Sequence, residues 1–381
     1  MQKALLKSYN FLFFGLLALF IPFLPVFMKA QGISETKVGF IISAGGFITI
    51  IAQPIWGMVS DRLKTVRKVI LILVFFTTIG GFFLYQMSSV TTIILLTLIV
   101  YAFLMPLDPL SESLSFTTAE TLKISYGSVR TYGALGYAVL ALIVGYVMDW
   151  FGMGSISYLF GGLGLICFII VLMLNDVPTS PVPVTIQGLK NVLANREMQL
   201  FLLLVFIASI PARMNDTFLG IHIGTLHGDT KLVGLAFFIS AATEIIIFAL
   251  SFLWLKKGKE LLLITIAIFF YAVRFLLSAL VDNPYALIAV QVLQMLTFPI
   301  FYTAAIQYLY QIVPREWRAT GQTLLALLFF GVSGIISSAV GGFVYNEFGG
   351  HVFYYMLASI STIACLYGIA LLIRQKKLTK S

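Results

Sequence analysis

Gly145-Tyr146-Val147-Met148-Asp149-Trp150-Phe151-Gly152 closes one apolar stretch of the sequence, and Gly342-Phe343-Val344-Tyr345-Asn346-Glu347-Phe348-Gly349 closes another 197 positions later. Trp56 and Trp254, each standing before a basic loop, repeat at an offset of 198. Two echoes at nearly one offset argue for a duplicated unit, and paired helical bundles suit a protein that exposes one site alternately to two sides of a membrane.

The composition outside these echoes agrees. Of 381 residues 60% are hydrophobic and 10% charged, and the mean hydropathy is +1.01, outside the range of soluble domains. A hydrocarbon core of about 30 Å takes roughly 20 apolar residues per helical crossing. Twelve such stretches run over 6–29, 36–60, 67–87, 91–119, 127–150, 154–174, 198–226, 231–255, 259–281, 284–312, 319–346 and 350–373. The first follows Lys3 and Lys7 and is too long for the apolar part of a cleaved signal peptide, so it is expected to span. The expected fold is an all-α membrane protein with twelve transmembrane helices in two six-helix halves.

Basic residues set the orientation. Of the 24 lysines and arginines, 18 fall in the termini and alternate loops of one side, against Lys29, Lys37 and Lys231 on the other. The positive-inside bias therefore places both termini in the cytoplasm, and the net charge of +9 needs no nucleic-acid partner. The longest polar gap, Asn175 to Glu197, contains Pro178, Pro181 and Pro183, which oppose helix. It divides an N-terminal bundle, 1–175, from a C-terminal bundle, 198–381, through a cytoplasmic linker, 176–197, whose part from Ile186 to Leu193 is expected to form a short surface helix.

Three arginines remain inside apolar stretches, Arg130, Arg213 and Arg274, together with Asp108, Glu112, Asp216 and Glu244. A charge at the bilayer centre costs at least about 2.5–3.5 kcal/mol on insertion scales, so such groups pair or face water. Glu112 and Arg130 each lie nine residues from position 121, in a cytoplasmic turn, and so reach one depth on neighbouring helices. Glu244 and Arg274 lie fifteen residues either side of position 259. Each half thus offers an acid and a base near the midplane. Asp108 and Glu112 share a helical face, as do Arg213 and Asp216, which read equally well as a self-satisfied pair steadying their helix.

Tyr137 follows Arg130 by two helical turns and is placed to stack on a sugar or aromatic ring, although ordinary packing explains an isolated tyrosine equally well. Pro106 and Pro109 in the fourth stretch and Pro299 in the tenth should bend their helices beside a watery cavity, with Gln294, Thr297 and Tyr302 as uncharged contacts. His222, His227 and His351 all fall near stretch ends, so a histidine proton relay is not expected. Cys167 and Cys365 have no partner spacing for a disulfide or a metal. No phosphate-binding loop, metal cluster or nucleophile with its base is recognisable, so neither an enzyme nor a cofactor is expected.

Gly57-Met58-Val59-Ser60-Asp61-Arg62-Leu63-Lys64-Thr65-Val66-Arg67-Lys68 resembles the Gly-x-x-x-Asp-Arg-x-x-x-x-Arg-Lys signature between helices 2 and 3 of the major facilitator superfamily. The resemblance implies a conformational latch of Gly57, Asp61, Arg62, Arg67 and Lys68, in which Gly57 permits close helix approach and Asp61 meets a neighbouring helix end and basic groups in one conformation. Phe20-Ile21-Pro22-Phe23-Leu24-Pro25, Gln53-Pro54 and Tyr126-Gly127-Ser128-Val129-Arg130-Thr131-Tyr132-Gly133 resemble the galactoside permease group of oligosaccharide:proton symporters. Pro106-Leu107-Asp108-Pro109-Leu110-Ser111-Glu112 looks closer to the related phenylpropionate permease branch.

The galactoside likeness implies that Glu112 and Arg130 hold the solute, that Tyr137 takes the place of a stacking Trp, and that Glu244 and Arg274 are the acidic and basic cavity residues of the second half. Gln294 and Thr297 stand where that group has His and Glu, so a coupling proton would fall to Glu244, Glu112, Asp108 or Asp216. The expected function is secondary active transport by alternating access, as a monomer spanning the bilayer of the cytoplasmic (inner) membrane. Its partners would be protons and a sugar, glycoside or aromatic carboxylate. The alternative to an importer is an aromatic carboxylate permease or a solute or drug exporter of the same superfamily, against which helix 5 lacks the Gly-Pro-x-x-Gly-Gly element such antiporters resemble; a receptor or enzyme would leave the midplane pairs without a purpose.

Overall fold

Prolines, glycines and capping side chains cut the apolar sequence into helices. α1 (Gln2–Phe20) stops short of Pro22, and α2 (Phe23–Ala30) continues the same crossing. α3 (Glu35–Leu63) ends where Lys64 adopts a left-handed backbone (φ 52°). Thr65 then caps α4 (Val66–Leu84), its hydroxyl accepting from the Lys68 N–H at 3.2 Å. α5 (Val90–Leu104), α6 (Leu107–Thr121), α7 (Tyr126–Phe151) and α8 (Ser155–Met173) follow. Next come α9 (Arg196–Thr225), α10 (Thr230–Ala249), α11 (Ser251–Trp254), α12 (Glu260–Leu280) and α13 (Pro284–Val290). A 3₁₀ stretch (Gln291–Leu296) leads into α14 (Phe298–Ile312), and a π-helical turn (Leu327–Val332) separates α15 (Arg318–Ala326) from α16 (Ser333–Leu378).

This computed structural model describes residues 1–177, 194–314 and 317–378, without the side chain of Ala319. The surface helix expected at 186–193 lies outside the described residues. Among those described, eleven helical segments are long and apolar enough to cross a membrane. The last, Thr320–Lys377, contains two helices meeting at Gly349, where φ is 77° and ψ 174°. Gly152, its counterpart in the sequence echo, ends α7 with φ 84° and ψ 167°. The echo is therefore conformational: both glycines turn the chain through a backbone that side chains rarely adopt.

Two compact units are present. One takes in described residues 1–177 with Leu219–Ala242, the other the described remainder on either side of that span. The sequence repeat and the units thus do not share a boundary, because the C-terminal part of α9 and most of α10 pack with the first unit. Within it α1 lies against α7 and α8, and α4 against α5 and α8; in the second, α12 lies against α14 and α16.

The α1–α7 packing rests on two small residues. A Cβ on Gly136 would sit 2.0 Å from the Phe11 carbonyl oxygen, and one on Gly133 would sit 2.5 Å from the Phe14 ring. α7 and α10 cross equally closely, since a Cβ on Gly145 would meet the Thr230 carbonyl oxygen at 2.7 Å and the Gly234 Cα at 2.9 Å. The Thr230 hydroxyl donates to the Gly145 carbonyl at 3.1 Å, and Lys231 reaches Asp149 at 3.6 Å and Asp229 at 2.7 Å.

The fourth apolar stretch breaks as its prolines require, between α5 and α6. Pro106 and Pro109 have no N–H for the carbonyls of Ala102 and Met105 four residues earlier. α3 supplies the missing donors: the Trp56 indole N–H reaches the Ala102 oxygen and the Gln53 amide the Met105 oxygen, both at 3.2 Å. Gln53 and Trp56 are three apart and so share one helical face.

Candidate functional site

In the first unit, α6 and α7 bring Glu112 and Arg130 together. Arg130 Nε lies 3.3 Å from Glu112 Oε1, with the two side chains 45% and 36% exposed. The guanidinium carbon sits 4.1 Å from the centre of the Phe14 ring, the ring that Gly133 admits between α1 and α7. α6 is oriented by α1: Tyr9 and Ser111 share a short hydroxyl hydrogen bond, and the Asn10 amide donates to the Ser115 hydroxyl at 2.9 Å. With Ser111 and Ser115 turned to α1, Glu112 and Asp108 lie on an open flank, Asp108 exposed one turn from Glu112. Charges exposed at this depth require water rather than lipid around them. Tyr137 is half-buried two turns further along α7.

In the second unit Glu244 and Arg274 meet through a third residue. The Gln294 amide N–H donates to Glu244 Oε1, while Arg274 Nη1 donates to Gln294 Oε1 and Nη2 to Gln291 Oε1. Arginine only donates, which fixes the Gln294 oxygen toward Arg274 and its nitrogen toward the acid. Arg274 is 2% exposed, and among the described residues it makes no ion pair. The Thr297 hydroxyl donates to the Gln294 carbonyl at 2.9 Å and lies 3.1 Å from its Oε1. Gln294 and Thr297 are thus buried members of this network. They hang from the 3₁₀ stretch and its end, where Thr297 (φ −109°, ψ −98°) breaks the rod ahead of Pro299.

Arg213 and Asp216 form the i,i+3 pair that their spacing permits, at 2.8 Å and half-buried, with the Arg213 guanidinium 5.6 Å from the Phe330 ring centre. Tyr302 stacks on Phe298 at 5.5 Å and meets Phe330 edge-on at 5.4 Å, so α14 packs against the π-helical turn through aromatic rings.

The side-chain contacts of the signature loop run through Thr65 and Arg67. Space around Gly57 is open, and Asp61 makes no ion pair among the described residues. Arg62 is exposed, while Lys68 joins the loop through its N–H to Thr65. Arg67 instead donates through Nη1 to the Leu174 carbonyl at 2.7 Å and through its backbone N–H to Asp176 at 3.0 Å. Thr65 also donates to Asp176.

Sequence reasoning missed Phe14, Gln291 and Asp176. Gln291 had a usable signal, a second amide one turn before Gln294 in an otherwise apolar stretch. Phe14 had none, being one of 34 phenylalanines.

Apolar helices that cross a membrane, with half-exposed charged pairs and broken rods among them, define a polytopic carrier of small solutes. The family model described as "MFS_1 like family" matches residues 4–356, and the chain belongs to that family of the major facilitator superfamily. It is 26% identical to the maltose permease of Geobacillus stearothermophilus over 99% of this chain and 96% of that protein. It is 23% identical to the probable 3-phenylpropionic acid transporter of Escherichia coli (strain K12), over 91% and 92%. Among solved structures it matches the nucleoside transporter NupG with a TM-score of 0.87 and 17% identity, covering 97% of this chain and 99% of that one. The protein is an integral membrane transporter, not an enzyme.

Proposed function

We propose that this transporter carries a neutral sugar or glycoside, coupled to protons, by alternating access across the cytoplasmic membrane of a bacterial-type cell. In this reading the monomer has twelve crossings in two six-helix halves, 1–175 and 198–381, with both termini cytoplasmic. The observation that carries it is the half-exposed Arg130–Glu112 pair over the Phe14 ring. Arg130 Nη1 and Nη2 make no ion pair among the described residues and can donate to vicinal hydroxyls, while Glu112 accepts from them. An aromatic carboxylate, the second reading, has the 3-phenylpropionic acid transporter in its favour. It would have to displace Glu112 or sit beside a like charge, whereas a hydroxyl group bridges acid and base without a change of charge. Asp108 and Tyr137 extend the same site; Gln294, Thr297 and Tyr302 are the second half's candidates for solute contact, and the Arg213–Asp216 pair belongs with the proton-coupling groups.

Proton coupling falls to Glu244, held by Gln294 beside Arg274. The test is ligand-induced thermal stabilisation of purified protein with mono- and disaccharides, nucleosides and aromatic carboxylates. A sugar should raise the unfolding temperature of the native protein and leave Arg130→Ala and Glu112→Gln unmoved, and its uptake into vesicles should carry protons inward. Stabilisation by an aromatic carboxylate alone would transfer the chain to the second reading.

A further inference from the structure

A cavity of about 300 Å³ lies in the second compact unit, at the end bearing the basic loop Lys256-Lys257-Gly258-Lys259. Lys257 lines it from the loop before α12, Glu260 from the start of α12, Gln307, Tyr310 and Gln311 from the last turns of α14, and Arg318 from the first turn of α15. Its volume stands at the lower end of ligand pockets, about 300–1,000 Å³.

Arg318 is held in place before any ligand arrives. Its Nη2 donates to the Tyr310 carbonyl at 2.9 Å, and the guanidinium carbon lies 5.2 Å from the Tyr310 ring centre. Its Nε–H is buried with no hydrogen-bond partner among the described residues, a state native proteins seldom leave uncorrected. Glu260, the acid on the wall, is buried and already accepts from the Gln311 amide. The Tyr310 hydroxyl donates to Gln322 at 2.8 Å. The Lys257 ammonium is exposed and makes no ion pair among the described residues. What remains facing the cavity is a fixed planar guanidinium, a mobile ammonium and the Gln307 amide.

Two cations of these kinds suit a multiply oxygenated anion: the guanidinium engages two oxygens at once, and the ammonium follows as a point charge. We propose that this cavity binds a phosphate group, borne by an anionic lipid headgroup or a soluble phosphate, with Arg318 and Lys257 as its ligands. Its place on the side that the positive-inside bias assigns to the cytoplasm puts it beside the anionic leaflet. An occupant would tie the α12 loop to the ends of α14 and α15. The site is independent of the solute carried.

The test uses the full chain in detergent with inorganic phosphate, glycerol 3-phosphate and phosphatidylglycerol, and with zwitterionic phosphatidylcholine as the comparison. It reads the unfolding temperature and, for lipids, adducts retained in native mass spectrometry. At least one phosphate anion should stabilise the protein, with affinity roughly tenfold weaker in Lys257→Gln and in Arg318→Gln and partly recovered in Arg318→Lys. Response to phosphatidylglycerol alone assigns the lipid headgroup; response to the soluble anions too assigns a free phosphate. No response to any probe, or equal response in native protein and variants, overturns the site. Lys257→Gln keeps the test decisive should Arg318→Gln fail to fold, because Lys257 is exposed. No readout involves the carried solute, so this proposal and the transport reading fail separately.

Discussion

Just beyond α8 the Asp176 carboxylate collects the Thr65 hydroxyl, the Arg67 N–H at 3.0 Å and the Val177 N–H at 2.9 Å. Partial burial works against its charge, but these hydrogen bonds and the Arg67 guanidinium outweigh it and hold the carboxyl below its ordinary value. The folded protein therefore binds this proton more weakly than the unfolded chain. The resulting stability is fully present above the unfolded value of about 3.9 and disappears as pH falls through that value toward the lower folded one. Asp176→Asn should unfold at a lower temperature than the native protein at neutral pH, and the gap should close as pH falls below the ordinary carboxylate range. Thermal scans across that range check it; parallel curves would remove the carboxylate charge from the account. Arg67 was legible in the signature, but its acceptor stands 109 residues away in a polar segment that sequence reading assigns to a linker. Glu112 and Arg130 were legible because charge in an apolar stretch is costly, whereas the Phe14 ring beneath Arg130 depends on the space that Gly133 leaves.

Among the elements, the kink between α5 and α6 was foreseeable from Pro106 and Pro109, but the side chains that complete it were not. Donors 46 and 52 residues away in sequence serve the two carbonyls, and only the packing of α3 reveals them. Trp56→Phe keeps the ring and removes the donor, leaving the Ala102 carbonyl unserved at a cost of about 1–3 kcal/mol. Gln53→Leu should cost less, because the Asp108 N–H also reaches the Met105 carbonyl at 3.2 Å. Equilibrium unfolding of both variants in detergent gives the order, and the reverse order would contradict the assignment. The 3₁₀ stretch at Gln291–Leu296 and the π-helical turn at Leu327–Val332 left little trace in the sequence. Pro299 has no N–H for the Met295 carbonyl and so accounts for a break at the end of the 3₁₀ stretch, but the π-helical turn lies outside its reach, where Phe329 and Phe330 pack on Phe298, Phe301 and Tyr302.

For the molecule as a whole, one glycine-ended echo and one tryptophan echo point in the sequence to a duplication, and Gly152 and Gly349 share a backbone conformation. The grouping of Leu219–Ala242 with the first unit was not readable, because it depends on the crossing of α7 and α10 at Gly145 and Gly234. A methyl group at position 145 would press on backbone rather than on a side chain able to turn aside. Gly145→Ala should therefore destabilise the native arrangement by about 1–3 kcal/mol, seen as a lower unfolding temperature; an unchanged temperature would mean that the two helices stand apart in solution. The kink supports have a consequence of another kind. Where position 106 regains an N–H, the Ala102 carbonyl no longer depends on the indole at 56, so Pro106 with Trp56, and Pro109 with Gln53, are expected to vary together among relatives.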